Sequence, residues 1–214
     1  MKKEPWSEFS PPTIEDKVLC LMIYYRTYIT HTFLGYLVGL HNSNICRLFK
    51  KMEPLLVKKI TIKKDRNLTP EKILKLLADV TEQRRQSAKD PKKRKKFYSG
   101  KKKAHTIKTE MVIDKSGKII SVSKSHKGGT HDFRIRKKEK ILPPSPIKYA
   151  NSGYQGWKKI QSNVLIPYKK YRKKPLTPEQ KKHNRELASF RMPVENKFRE
   201  LKIFKILSDV YRNF

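Results

Sequence analysis

Ile73-Leu74-Lys75-Leu76-Leu77-Ala78-Asp79-Val80-Thr81-Glu82-Gln83 is an apolar run of strand length that ends in a carboxylate and opens directly into a heavily basic stretch. One carboxylate at the tip of a buried strand, walled by lysines, is what a phosphodiester-processing site with a divalent metal requires. Taken alone the pattern is ambiguous, because Asp at a strand end commonly serves a turn. Its meaning depends on the rest of the chain.

The 214 residues suffice for one sizeable domain, or for a small one and a medium one, and 36% hydrophobic residues can build a core. The net charge of +33 dominates the composition and calls for a polyanionic partner, which phosphate backbones satisfy through counterion release. It is unevenly spread: residues 1 to 60 hold nine Lys/Arg against five acids, so the remainder carries +29. An acidic membrane is the rival partner, but no long amphipathic basic helix supports it. The longest apolar run, Val18 to Tyr25, is too short to span a bilayer, and no apolar segment follows the N-terminal lysines. Cys20 and Cys46 fall in apolar helical patterns and read as buried reduced thiols. The expected location is the cytoplasm, in association with the nucleoid.

In chain order, residues 1–12 are a Pro-rich lead-in. Thr13 is placed to cap a helix from Ile14 to Tyr28, and a second runs from Thr32 to Val38, closed by Gly39. Asn42 is expected to cap a third, whose Ile45, Leu48, Phe49 and Met52 share one face, with Pro54 disturbing or ending its last turn. This is the outline of a helix-turn-helix, residues 13–66. Ser43, Asn44, Arg47, Lys50 and Lys51 then face either a major groove or solvent on an ordinary bundle.

A basic connector leads to a boundary near Thr69-Pro70 and a second domain, residues 70–214. Residues 84–103 hold eleven basic side chains and one acid, among them Lys92, Lys93, Arg94, Lys95, Lys96, Lys101, Lys102 and Lys103. Such a block repels itself and is expected to stay open unless phosphate screens it. Phe97 and Tyr98 within it either stack on bases or pin the loop to the core. His105 to Asp114 alternates as a strand, with Ile107, Met111 and Ile113 on one side. Lys115 to Lys118 turns, and Ile119 to Val122 returns as a hairpin. Gly128 to Phe133 leads into a short basic helix, Ile147 to Asn151 reads as a buried strand, and Val164 to Tyr168 as another. The basic loop Lys169 to Lys174 follows, including Lys169 and Lys170. Thr177-Pro178-Glu179-Gln180 opens a long helix with its apolar stripe at Leu187, Phe190, Val194, Phe198 and Leu201, which Pro193 should kink or split. The order describes an α/β (α+β) domain behind a small all-α head.

Six blocks then resemble, in order and spacing, the insertion-sequence DDE transposases related to Harbinger elements. They are Asp79-Val80-Thr81-Glu82; Phe97-Tyr98-Ser99-Gly100-Lys101-Lys102-Lys103 with His105-Thr106 and Lys108-Thr109; Gly129-x-His131-Asp132-Phe133; Ser152-Gly153-Tyr154-Gln155-Gly156; Ile166-Pro167-Tyr168-Lys169-Lys170; and Val194-Glu195 with Tyr211-Arg212-Asn213. The resemblance spans residues 13–214 and implies a ribonuclease-H-like mixed sheet with flanking helices. It further implies two Mg²⁺ (or Mn²⁺) ions held by two aspartates and a glutamate, and double-stranded DNA with terminal inverted repeats as partner, bound by a homo-oligomer. Carried over residue by residue, the catalytic and metal-binding positions are Asp79, Asn151 and Glu195. The middle one departs from the pattern: Asn keeps a carbonyl oxygen but loses a full charge and presents an NH₂ that cannot coordinate. His131 and Asp132 are expected to position their loop. Impaired cleavage is therefore expected, in a copy that also ends at Phe214, where the resemblance implies further helix.

Overall fold

The structure, a computed structural model, describes residues 13–59, 75–171 and 175–212. The lead-in, the boundary near Thr69-Pro70, the first two residues of the opening stretch, residues 172–174 of the second basic loop, Asn213 and Phe214 lie outside them. The described residues form two compact units.

The first is helical. Helix α1 (Ile14–Thr27) starts on a capping box: the Thr13 hydroxyl accepts from the Asp16 amide at 3.2 Å, and the Asp16 carboxylate accepts from the Thr13 amide at 3.0 Å. Helix α2 (His31–Val38) is capped by Thr30 and closed by Gly39 at φ +65°, the left-handed turn that glycine adopts without a Cβ clash. Helix α3 (Asn42–Lys59) packs Ile45 and Phe49 against Leu21, Tyr24 and Leu34, so three amphipathic stripes share one core. Three expectations need correcting. Asn42 is already helical, and His41 stands ahead of it, its carbonyl accepting from Asn44 at 2.9 Å. Pro54 does not end α3; it is exposed, so solvent can serve the Lys50 carbonyl that it leaves unbonded. Cys20 is buried, but Cys46 is only half-buried; both are free thiols.

The C-terminal segment Lys202–Asp209, read from sequence as part of the second domain, folds with this helical unit. Its short helix α7 (Lys205–Ser208) sets Ile206 against the helical core, and Arg26 donates to the Ile203 carbonyl.

The second unit is the mixed α/β sheet that the resemblance implied. Strand β1 (Lys75–Arg84) pairs antiparallel with β3 (Ala104–Asp114) on one side and parallel with β6 (Ile147–Ala150) on the other. Strand β7 (Val164–Leu165) extends the sheet beyond β6. Beyond the central strands, β2 (Tyr98–Ser99), β4 (Ile119–Val122) and β5 (His126–Lys127) all pair with β3. Alternation along β1 gives the sheet two inner faces. Leu76, Ala78, Val112 and Ala150 meet Tyr154 and Trp157 on one. Leu77, Met111, Ile113 and Tyr149 meet Leu187 and Val194 of helix α6 (Pro178–Lys202) on the other. Helix α6 carries the expected Thr177–Gln180 capping box, at 3.2 Å each way. The expected short basic helix is α5 (Asp132–Lys138), with Ile135 and Arg136 buried.

Here too the structure corrects the reading. Helix α6 is continuous through Pro193, because buried Leu187 and Val194 anchor it to the sheet on both sides of the proline. Strand β7 stops at Leu165: Pro167 has no N–H to give a ladder, and the Tyr168 backbone is taken by the Asn184 side chain. The basic block is not open either. Residues Pro91–Phe97 form helix α4, capped by Asp90 with proline at its first turn, and the Arg85 guanidinium lies 4.0 Å from the Phe97 ring centre.

Candidate active site and nucleic-acid surface

The sheet register assembles the site. In the parallel β1–β6 pair, Leu77 lies beside Tyr149 and Ala78 beside Ala150, so the next step brings Asp79 to Asn151. Side chains two apart share a face, so Asp79 follows Leu77, and Asn151 follows Tyr149, onto the α6 side. One turn beyond Leu187 along that helix stands Arg191, and one turn further Glu195.

Asp79 is nearly buried, and both of its oxygens are engaged. Oδ1 accepts from the Val80 amide at 2.8 Å and from Asn151 Nδ2 at 2.6 Å; Oδ2 accepts from the Arg191 guanidinium at 3.0 Å. The same Arg191 nitrogen lies 3.5 Å from Glu195 Oε1, and Glu195 is half exposed. Asn151 Oδ1 accepts from the Gly153 amide at 2.6 Å, capping the turn Ser152–Tyr154. A Cβ at Gly153 would press on the side-chain oxygens of Asp132 and Asn151, so one of them would have to shift. Arg191 Nε is buried without a partner among the described residues. Asp79 thus touches Asn151 directly and is linked to Glu195 through the Arg191 guanidinium they share.

A family model described as DDE superfamily endonuclease matches residues 78–213, and one described as helix-turn-helix of DDE superfamily endonuclease matches residues 13–62. The chain belongs to the DDE endonuclease superfamily of transposases. It is 41% identical over 206 residues to a protein of Microchaete diplosiphon described as a probable transposase for insertion sequence element IS702. That match covers 94% of this chain and 74% of the relative. No solved structure matches.

DDE endonucleases use divalent metal ions, and the residues present fit a pair of them poorly. Two carboxylates against one guanidinium leave a single net negative charge, Asn151 adds none, and every oxygen of Asp79 is already an acceptor. Among the described residues, no three or more His, Cys, Asp or Glu side chains cluster as a metal site. No helix among them is long and apolar enough to cross a membrane.

The helix-turn-helix of this superfamily implies DNA binding. Asn44, Arg47, Lys50 and Lys51 are exposed on α3, whereas Ser43 is half-buried with its hydroxyl 2.7 Å from His41 Nδ1. In the sheet unit, Lys92, Lys93, Arg94, Lys95 and Lys96 are exposed on α4, Lys101, Lys102 and Lys103 on the turn into β3, and Lys169 and Lys170 after β7. Phe97 pins its segment beneath Arg85, while Tyr98 stays half-exposed against the edge of His105. Asp132 is tied to Lys108 Nζ at 3.0 Å, with the Thr130 carbonyl on the same ammonium at 2.9 Å. The His131 ring is exposed and makes no capping bond, while its carbonyl accepts from the Arg134 amide at 2.9 Å.

Sequence reasoning missed Arg191, although its position four residues before Glu195 is the helical ion-pair spacing. It also missed a second buried cluster. Glu110 accepts from Arg136 at 2.6 Å and from the Tyr154 hydroxyl at 2.9 Å, and its amide donates to Ser123 at 2.8 Å. Burial pushes the Glu110 carboxyl up to about 7, against the opposing pull of Arg136 and Tyr154. The alternation gave no signal, because Glu110 falls on the face opposite Ile107, Met111 and Ile113, and that face is buried as well, beside Val112 and Tyr154.

Proposed function

We propose that this chain binds insertion-sequence ends as a transposase-type protein whose cleavage and strand transfer are impaired at Asn151. The helical unit reads the terminal inverted repeats through the exposed face of α3. The lysine clusters of the sheet unit hold the phosphate backbone. Asp79, Asn151 and Glu195 stand at the catalytic positions, and the protein acts as an oligomer on DNA in the nucleoid. The observation that carries the reading is the Asn151 amide donating into Asp79, the carboxylate it would have to join as a ligand. A third carboxylate there would repel Asp79 and create demand for a cation; the amide satisfies Asp79 instead.

Supercoiled-plasmid nicking with Mg²⁺ or Mn²⁺ tests this, comparing the unaltered chain with Asn151→Asp. Little cutting by the first and a clear gain in the second are expected; robust cutting by the unaltered chain would overturn the impairment. A DNA-binding remnant without catalysis is the second reading, favoured by Arg191 already pairing with both Asp79 and Glu195. It predicts no gain on Asn151→Asp. Under both readings DNA affinity falls steeply with salt, because many phosphate contacts release counterions.

A further inference from the structure

A cavity of about 310 Å³ opens between the end of β7 and the start of α6, lined by Gln155, Lys158, Tyr168, Lys169, Tyr171 and Gln180 with an apolar floor. Part of its wall is fixed by named bonds. Ile166 in the floor belongs to the buried core, and the Tyr168 backbone is clamped by Asn184, which accepts from its amide at 2.8 Å and donates to its carbonyl at 3.0 Å. The Tyr168 ring stacks edge-on against His183, and the capping box fixes Gln180. Gln155, four residues past Asn151, donates its amide to the Pro167 carbonyl at 3.0 Å.

The chemistry of the lining is specific in kind. Tyr168 and Tyr171 are exposed aromatics beside the basic loop, and the Lys169 ammonium lies 5.6 Å from the Tyr171 ring centre. The bonds given above use the amide of Gln155 and the oxygen of Gln180, which leaves one amide acceptor and one amide donor among the lining groups. Lys158 and Lys169 are exposed and carry positive charge to the cavity. Aromatic faces, a hydrogen-bonding pair and flanking ammonium groups are what one unpaired base and its neighbouring phosphates require. The volume sits at the small end of ligand sites, roughly 300–1,000 Å³, and excludes a duplex.

We propose that this cavity receives a single nucleobase unstacked from DNA. The inference rests on the DNA-binding reading above, and it adds a specific occupant: one planar base, stacked on tyrosine, with phosphates against lysine.

The test uses the full chain and fluorescence anisotropy with two labelled duplexes, one fully paired and one with a single bulged adenine. The bulged duplex should bind more tightly, and Tyr171→Ala should remove that preference, a loss of about 5- to 150-fold for one stacked base. Tyr171→Phe, which keeps the ring, should retain it. Tyr171 is exposed, so an unchanged urea midpoint is expected and would exclude misfolding as the cause. No preference for the bulge, or a preference that survives Tyr171→Ala, would overturn the assignment. So would competition by an aromatic amino-acid amide as strong as that of adenosine monophosphate. The paired duplex reports separately on the function: its failure to bind would sink the DNA-end reading, while Tyr171-dependent binding of the bulged probe would still sustain the cavity's role.

Discussion

Asp79 and Glu110 lie on adjacent strands, yet they face opposite sides of one sheet, because Asp79 stands opposite Met111 and Glu110 opposite Val80. Each carboxylate has an arginine and an amide or hydroxyl donor. The likeness ends there. Glu110 is 1% exposed, and its guanidinium partner is also buried. Asp79 opens towards a half-exposed Glu195 and shares its arginine with it, leaving that arginine's Nε unpaired among the described residues. The closed cluster is saturated by its own buried partners, whereas the open one keeps Glu195 in contact with solvent.

The contrast is broken most directly by removing the arginines in turn. Arg136→Ala strands a buried carboxylate and should cost about 3–5 kcal/mol in urea unfolding. If it cost no more than its counterpart on the other face, the distinction would collapse.

A second test uses pH. With its folded carboxyl raised to about 7, Glu110 holds a proton in the native state that the unfolded chain, near 4.5, has already released. Stability should therefore fall as pH rises from about 4.5 to 7, at up to about 1.4 kcal/mol per pH unit for one proton. Glu110→Gln should flatten that dependence in thermal melts; a profile identical to the parent's would refute the raised carboxyl.

On the open side, Asn151→Asp should strengthen Mn²⁺ binding, followed by electron paramagnetic resonance, by roughly tenfold or more, since ligand charge sets cation affinity. Adding Arg191→Gln should strengthen it further by freeing Asp79. Arg191→Ala alone should cost less than Arg136→Ala, because Asp79 keeps its bonds from Val80 and Asn151 and Glu195 is open to solvent. A loss as large as that of Arg136→Ala would show that both faces are structural.

Much of this architecture was legible before the fold was known, because caps and periodicities act locally. Thr13, Thr177 and Gly39 mark helix ends by hydrogen bonds or dihedral freedom within a few residues. The strand carrying Asp79 declared itself by its apolar run. Lys148 shows where such reading fails. It is fully buried while its neighbour Ile147 is more than a third exposed, because three carbonyls, of Pro144, Pro146 and Ser162, gather around its ammonium. Burial lowers its pKa. The charge block at 84–103 misled for a related reason: Asp90 and Phe97 supply a cap and a stacking surface that a count of charges does not see.

The amino-acid sequence by itself determined the kinds and order of elements, the basic partner-seeking surface, and an uncharged Asn at the position where the resemblance implies a carboxylate. Only the tertiary structure decided that Asp79, Asn151 and Glu195 meet, that Arg191 stands among them, and that Lys202–Asp209 folds with the helical unit. The first two outcomes depend on a parallel register between β1 and β6 and on the packing of α6 across the sheet. Both join residues more than seventy positions apart, beyond the reach of any local preference.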